Sequence, residues 1–219
     1  MIKRFHNRAE AGLLLADKLI NYEGAQGLLV LALPRGGLPV ALPVALRLRA
    51  ALDVLVVRKL GVPGHEELAM GAIASGGARV LNREVVGALQ IPGEAIERVE
   101  VRERGELERR EREYRGGRPA PVVCGRTVIL VDDGIATGST MRSAIEVLRG
   151  RRAHRIVVAT PVIAASTLRE MRHVADEVAA VLSPDDFEGV GKWYEDFSQT
   201  SDDEVRSILE QASPPRPAG

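Results

Sequence analysis

The sequence predicts an α/β fold in which a parallel, twisted sheet is flanked by helices. Short apolar runs, of which residues 28–33 are the first, alternate with segments of helical periodicity, and such runs are typical of strands buried on both faces. Regular alternation of strands and helices favours parallel pairing. Unusual loops follow three predicted strands, at residues 34–37, 58–67 and 132–140. Because ligands of such sheets bind at the carboxyl ends of the strands, we expect the functional site there.

The N-terminal part of the chain predicts a capped helix, a second helix and a second strand. Residues 7–10 resemble a capping box, and leucines at helical spacing predict a helix that ends near Gly24. A helix should cover about residues 39–50. Proline removes a backbone donor, so Pro43 is expected to kink that helix or to confine it to shorter pieces. Residues 53–57, rich in Val and Leu, predict a second buried strand.

The rest of the chain predicts a hairpin, a long charged helix and then further alternation. Residues 68–75 and 78–81 flank two glycines, which favours a hairpin turn. Residues 92–114 are dense in Glu and Arg three and four apart, a pattern typical of a solvated helix. The remaining predictions are a short helix capped by Asn82, strands over 127–131, 155–160 and 177–182, and helices over 140–148, over 166–173 and after a capping box at 201–204.

Composition and charge indicate one soluble domain that binds neither nucleic acid nor membrane. The 219 residues suffice for one packed domain with a smaller appendage. Lys plus Arg equals Asp plus Glu at 30 each, so no net field attracts polyanions. No apolar run approaches the roughly 20 residues of a membrane span, and no signal-peptide pattern follows the N-terminus. With Cys124 as the only cysteine, no internal disulfide is expected, and we expect a cytoplasmic protein.

Residues 128–141, VILVDDGIATGSTM, have the composition of a sugar-phosphate site. Four apolar residues end in Asp132 and Asp133, and a loop rich in Gly, Thr and Ser then precedes a helix. Such a loop presents free backbone N–H groups and the positive end of a helix dipole to a phosphate. Two carboxylates can accept hydrogen bonds from a diol, and a diol beside a phosphate is a ribose 5-phosphate. For the short loop alone, an N-cap and a strand-end turn are the simpler interpretation.

The whole segment resembles the signature with which type I phosphoribosyltransferases bind 5-phosphoribosyl pyrophosphate (PRPP). The resemblance implies that Asp132 and Asp133 bind the ribose hydroxyls and, directly or through water, Mg2+. It implies that the 5-phosphate is held by the loop residues Ala136, Thr137, Gly138, Ser139 and Thr140. The resemblance covers a core of about residues 25–182 within a single domain. A hood would consist of residues 1–24 and 183–213.

The chain departs from compact family members by a charged insertion at about residues 82–118. The residues leave open whether this insertion is an oligomerisation arm, part of an acceptor site or a cover. A homo-oligomer is therefore one expectation, and the oligomeric state itself is left open.

The loop after the first strand, Arg35-Gly36-Gly37, is expected to contact pyrophosphate. Arginine offers a fork of donors, and glycines permit dihedral angles that are closed to other residues. By itself such a loop is a common turn. In the family that the chain resembles, the loop at this place contacts pyrophosphate, often through a strained or cis peptide.

A second group of cations, Arg58 and Lys59, is predicted at the end of the second strand. The Gly- and Pro-rich stretch after it suits a mobile lid that closes on an anion, although a solvated surface loop is the alternative. The stretch is similar to the catalytic loop of orotate and adenine phosphoribosyltransferases. This similarity implies that Arg58 and Lys59 neutralise the leaving pyrophosphate, and that His65 and Glu66 serve lid contacts or proton transfer.

The acceptor side is expected in the hood, where residues 185–197 hold four of the seven aromatic side chains. Phe187 and Trp193 are plausible stacking partners for a flat heterocycle. Alternatively, the four aromatics form a small hydrophobic cluster. The residues do not decide between a purine, a pyrimidine and an amine that is not a base.

The function implied by the resemblance is transfer of ribose 5-phosphate from PRPP to a nitrogen of a nucleobase or similar acceptor, with release of pyrophosphate. The alternative is a catalytically weak regulatory protein that senses PRPP or a nucleotide with the same fold. Retention of Arg58, Lys59 and both aspartates favours catalysis. A generic nucleotide-binding domain is disfavoured, because no Gly-x-Gly-x-x-Gly opens a helix after a strand.

Overall fold

A five-stranded parallel sheet and a three-stranded antiparallel sheet organise the chain. The computed structural model describes residues 4–212, so residues 1–3 and residue 213 of the predicted hood lie outside the described part. The helices and strands, in chain order, are α1 (Arg8–Lys18), β1 (Leu28–Ala32), α2 (Gly37–Leu48), β2 (Ala51–Val54), β3 (Val57–Val62), β4 (His65–Ala74), β5 (Ala78–Leu81), α3 (Arg83–Ala88), α4 (Gly93–Arg115), β6 (Thr127–Val131), α5 (Ser139–Gly150), β7 (Arg155–Val162), α6 (Ala165–Val174), β8 (Glu177–Leu182) and α7 (Asp202–Gln211).

The parallel sheet has the strand order β2-β1-β6-β7-β8, and it confirms the predicted sheet flanked by helices. Successive residues of a strand point to opposite faces, and accordingly Val30 packs with α1 and α2 whereas Leu29 packs with α5 and α6. Ala32 at the end of β1 pairs with Val131 at the end of β6. This register brings the loops after the two strands to the same edge of the sheet.

Helix α2 runs without interruption through Pro43, so the prediction of shorter pieces was wrong. Proline removes one intrahelical hydrogen bond, but packing outweighs that loss here. The proline ring fits against Gly12 of α1, where an added Cβ would overlap it. Most of α2 is buried between α1 and the sheet.

The second strand and the stretch after it differ from the prediction. β2 ends at Val54 and is an edge strand on which only Val54 is fully buried. The expected lid loop is instead an antiparallel hairpin of β3 and β4, with Gly64 at φ +80° in its turn. Arg58 and Lys59 therefore lie within β3. The predicted hairpin at Gly76-Gly77 is confirmed, and β4 and β5 pair antiparallel across it.

The charged insertion is mostly the helix α4, and a buried cation fastens its end to the parallel sheet. Arg115 is 4% exposed. It donates to the carboxylate of Asp53 at 3.0 Å, to Glu111 at 2.8 Å and to the carbonyl oxygen of Val54. Gly116 then ends the helix in the left-handed conformation. Within residues 4–212, no helix has the length and apolar character needed to cross a membrane.

Candidate sugar-phosphate site

The loop after β1 lies directly against the acid pair that follows β6. A Cβ added to Gly36 would overlap the carboxylate of Asp133, and one added to Gly37 would lie 2.8 Å from the carbonyl oxygen of Val131. Only glycine permits this approach. The peptide bond between Pro34 and Arg35 is cis. The structure therefore brings together two of the three loops on which the sequence prediction rests.

The loop after β6 encloses a pocket of about 150 Å³ at the N-terminus of α5. Gly138 is the N-cap of that helix, with φ +71°. Among residues 4–212, no acceptor is found for the backbone N–H groups from Ala136 to Met141. Free N–H groups at a helix N-terminus form an anion site. The pocket is lined by Asp132, Gly134, Ile135, Ala136, Thr137, Gly138, Ser139, Thr140, Met141 and Val190.

Contacts from outside the pocket fix the orientation of these peptides. The hydroxyl of Thr167 donates to the carbonyl oxygen of Ala136 at 2.5 Å. Arg142 donates to the carbonyl oxygen of Thr137 at 2.9 Å and to Glu170 at 2.7 Å. Carbonyl groups that are bound on the outside leave the N–H groups of the loop available to a ligand.

The two aspartates each have one oxygen that is occupied and one that is open. Asp132 Oδ1 accepts from the N–H of Asp133 at 2.9 Å, and Asp133 Oδ2 accepts from Arg8 Nε at 2.8 Å. Asp132 Oδ2 and Asp133 Oδ1 have no hydrogen-bond partner within the described part of the chain. Open carboxylate oxygens on two successive residues can accept from the two hydroxyl groups of a diol.

Burial shifts the titration of both acids in the same direction. Burial raises the pKa of Asp132 well above its ordinary value, and the neighbouring charge of Asp133 raises it further. Burial also raises the pKa of Asp133, against which the hydrogen bond and the charge of Arg8 act. Donor groups of a ligand would stabilise the ionised form of the pair.

Arg8 and Tyr194 belong to the site, although the sequence prediction missed both. Arg8 lies over the ring of Phe197, 4.0 Å from its centroid, and donates to the carbonyl oxygen of Ser198 at 2.7 Å. The hydroxyl of Tyr194 donates to the carbonyl oxygen of Asp133 at 2.6 Å. These contacts join residues far apart in sequence, so no local pattern signals them. In the sequence, Arg8 is recognisable only as a residue of a capping box.

Acids of other elements lie close to two of the three predicted pyrophosphate cations. Arg35 lies 3.9 Å from the carboxylate of Asp202 at the start of α7. Arg58 donates to Glu103 of α4 at 2.6 and 2.9 Å. By strand alternation, Lys59 lies on the other face of β3, the face on which Val57 packs toward the α5 side of the core.

His65 and Glu66 are exposed at the far end of the β3–β4 hairpin. Within residues 4–212, no hydrogen bond or ion pair joins either of them to the loop after β6. Their assignment to lid contacts or proton transfer stays a prediction.

The aromatic residues of the hood form a cluster with the N-terminal segment. Phe5 and Tyr194 are buried at its centre, with ring centroids 5.3 Å apart. Phe187 and Trp193 are half-buried against it. Trp193 Nε1 is buried without a hydrogen-bond partner in the described residues. Of the two interpretations of this segment, the geometry matches the hydrophobic cluster, and stacking of Phe187 or Trp193 on an acceptor stays a prediction.

The donor set fits a hard cation only in part. Asp132 and Asp133 offer the carboxylate oxygens that Mg2+ prefers. The described residues contain no group of three or more His, Cys, Asp or Glu side chains that could hold a metal. A cation here would therefore take most of its ligands from a bound phosphate compound and from water.

Comparison with known proteins identifies relatives along almost the whole chain. A family model described as "Phosphoribosyl transferase domain" matches residues 1–196. A Mycobacterium tuberculosis protein, provisionally named a phosphoribosyl transferase and matched in two strains, is 45% identical over 211 residues, which is 96% of this chain. The chain spans only 47% of that protein. The crystal structure of TT1426 from Thermus thermophilus is 42% identical with a TM-score of 0.87, and the match covers 96% of this chain and 100% of that one.

Proposed function

The chain belongs to the phosphoribosyl transferase domain family, and on that premise we propose that it transfers ribose 5-phosphate from PRPP to a nitrogen acceptor and releases pyrophosphate. One observation carries the proposal. A loop of unpaired backbone N–H groups stands beside two carboxylates that each keep one open oxygen. A phosphate and a vicinal diol within one small molecule would satisfy both sets of groups.

In this proposal the N–H groups and hydroxyls of residues 136–140 hold the 5-phosphate, and the open oxygens of Asp132 and Asp133 accept from the ribose hydroxyls. Arg35, which precedes the glycine that lies against Asp133, would bind the pyrophosphate. The transition state of such a displacement resembles an oxocarbenium ion, so the protein acts mainly by positioning and charge stabilisation. Mg2+, when bound with PRPP, supplies further neutralisation of the pyrophosphate.

The β3–β4 hairpin completes the proposed mechanism as a cover. Arg58 and Lys59 would neutralise the leaving group once the hairpin closes, and water would be excluded. His65 and Glu66, near the hairpin turn, are available for contacts in the closed state. The acceptor is a nucleobase or another amine, with Phe187 and Trp193 as candidates for stacking on it.

The first experiment tests the acid pair by calorimetry with PRPP and Mg2+. We expect the double variant Asp132→Asn, Asp133→Asn to bind PRPP at least about 100-fold more weakly, because each of the two charged hydrogen bonds is worth roughly 1.5–3 kcal/mol. The matched control is Asp185→Asn with Asp186→Asn, an adjacent and exposed acid pair after β8, which should leave PRPP binding unchanged. A Kd equal to that of the parent in the first double variant would refute the assignment of the pair.

A second experiment addresses the reaction itself. Nucleobases and small amines are screened for PRPP-dependent release of pyrophosphate. Release that depends on an acceptor supports the transferase. Tight PRPP binding with no release for any acceptor would support the alternative, a regulatory protein that senses PRPP.

A further inference from the structure

Arg8 has a geometry that its place at the start of α1 does not require. Its side chain is only 11% exposed and is directed at Asp133, whose side chain is 14% exposed. Three kinds of contact fix the guanidinium: the carboxylate at 2.8 Å, the carbonyl oxygen of Ser198 at 2.7 Å and the face of Phe197. A surface arginine would not be held from three sides.

This arrangement determines which oxygen of Asp133 is available to a ligand, namely Oδ1. Arg8 occupies Oδ2, and Tyr194 holds the carbonyl oxygen of the same residue. Arg8 therefore fixes the carboxylate of Asp133 and Tyr194 fixes its backbone carbonyl group, while Oδ1 of the carboxylate stays open. Without Arg8, the carboxylate would lose its hydrogen bond at Oδ2 and would face the charge of Asp132 without this counter-ion.

We propose that Arg8 is a positioning residue for recognition of the sugar diol, because it directs the open oxygen of Asp133 toward a ribose hydroxyl. Arg8 does not touch the ligand and acts only through Asp133. The hood cluster of Tyr194 and Phe197 in turn holds Arg8, so this part of the hood serves the ribose. The inference rests on the proposed function, since it presupposes that the acid pair binds a ribose.

A positioning role for Arg8 can be distinguished from a merely structural one by ligand binding. If Arg8 acts through one hydroxyl contact, its removal should weaken only ligands that carry the hydroxyls. A merely structural role would weaken all sugar phosphates alike. Pairing a protein change with a ligand change isolates the coupling between them. The probes are ribose 5-phosphate and 2,3-dideoxyribose 5-phosphate, each measured by calorimetry.

For Arg8→Met we expect about a 10-fold or greater loss of affinity for ribose 5-phosphate, the scale of one charge-assisted hydrogen bond, and less than about a twofold change for the dideoxy sugar. Arg8→Lys should recover part of the loss, because lysine keeps the charge but not the planar donor. Phe197→Leu removes the ring that supports Arg8, at a residue that is 37% exposed. This variant should lose less affinity for ribose 5-phosphate than Arg8→Met does, again with little change for the dideoxy sugar.

Arg142→Met is the matched control, since Arg142 also donates to a backbone carbonyl of the site but lies on the phosphate side. It should weaken both sugars by the same factor. Equal losses for both sugars in Arg8→Met and Phe197→Leu, or no loss in either variant, would overturn the role of Arg8. Failure of the parent protein to bind ribose 5-phosphate or PRPP would instead overturn the proposed function, and the inference with it.

Discussion

Gly36 shows at the scale of one residue how the site depends on close approach. The loop after β1 touches the Asp133 carboxylate because Gly36 has no side chain. We expect Gly36→Ala to displace the oxygen that Arg8 holds and to weaken ribose 5-phosphate binding by at least about 10-fold. Gly105→Ala is the control, because nothing lies within 4 Å of a Cβ there. It should leave binding unchanged and stabilise α4 by up to about 1 kcal/mol. Unchanged binding in Gly36→Ala would contradict the contact.

At Asp132, the buried carboxylate that the proposed site needs lowers the stability of the fold. Burial raises the pKa of Asp132, with the charge of Asp133 adding to the effect. A carboxyl whose folded pKa exceeds its unfolded pKa destabilises the ionised folded state. This penalty is absent below the unfolded pKa and develops as the pH rises through the folded pKa.

We therefore expect Asp132→Asn to unfold at a higher temperature than the parent at about pH 8, and to lose that advantage toward about pH 4. The amide oxygen can still accept from the N–H of Asp133, so the turn is kept. Thermal unfolding followed by circular dichroism at both pH values is the measurement. A variant that is less stable than the parent at the higher pH would contradict the expected penalty of ionising Asp132.

Among the elements, those with a local signal were predictable from the sequence. Asn82 caps its helix by accepting from the N–H groups of Glu84 and Val85, and Ser201 caps α7. The loop after β6 was predictable because its strand, acids and helix are contiguous. The β3–β4 hairpin was not, since antiparallel pairing of residues 57–62 depends on a partner strand and on the packing of α4 and α5 against it.

Helix α4 contacts Arg58 directly and is linked to Arg35 through Asp202, at two separate points. Glu103 binds Arg58, and Tyr114 donates to Asp202, which faces Arg35. Glu103 and Tyr114 are eleven residues apart (114 − 103), or roughly 16 Å along the helix. In the proposed mechanism, Arg58 would leave Glu103 to join the pyrophosphate beside Arg35. Glu103 would not be left without a cation, because Arg102 contacts its other oxygen at 3.1 Å.

If Glu103 competes with pyrophosphate for Arg58, Glu103→Gln should tighten the binding of inorganic pyrophosphate by about 3- to 10-fold, the scale of one partly exposed ion pair. Glu106→Gln is the matched control, because Glu106 also accepts from two arginines of the same helix and lies in no proposed site. Calorimetry with pyrophosphate and Mg2+ distinguishes the outcomes. An unchanged Kd would mean that Arg58 is not a pyrophosphate ligand.

At the scale of the whole molecule, the site is assembled by contacts of long sequence separation. Arg8 and Asp133 are 125 positions apart, and Arg8 and Ser198 are 190 apart. The acid pair was predictable because it lies within one motif. The residues that orient it were not, because they come from α1 and from the segment after β8, which no sequence period connects. The family match ends at residue 196, yet Ser198 and α7 lie beyond it.

Helix α7 offers a substitution that should lower the stability of the molecule without changing its affinity for the ligand. It buries Val205, Ile208 and Leu209 in the same cluster as α2 and α4. Leu209 is 1% exposed, so we expect Leu209→Ala to lower the free energy of unfolding by about 2–4 kcal/mol. The core cluster of Leu209 contains neither Arg8 nor its partners, so ribose 5-phosphate should bind the folded variant within about twofold of the parent. Urea unfolding and calorimetry at low temperature measure the two quantities. A loss of affinity comparable to that of Arg8→Met would mean that α7 as a whole, and not the contacts of Ser198 and Phe197 alone, holds Arg8 in place.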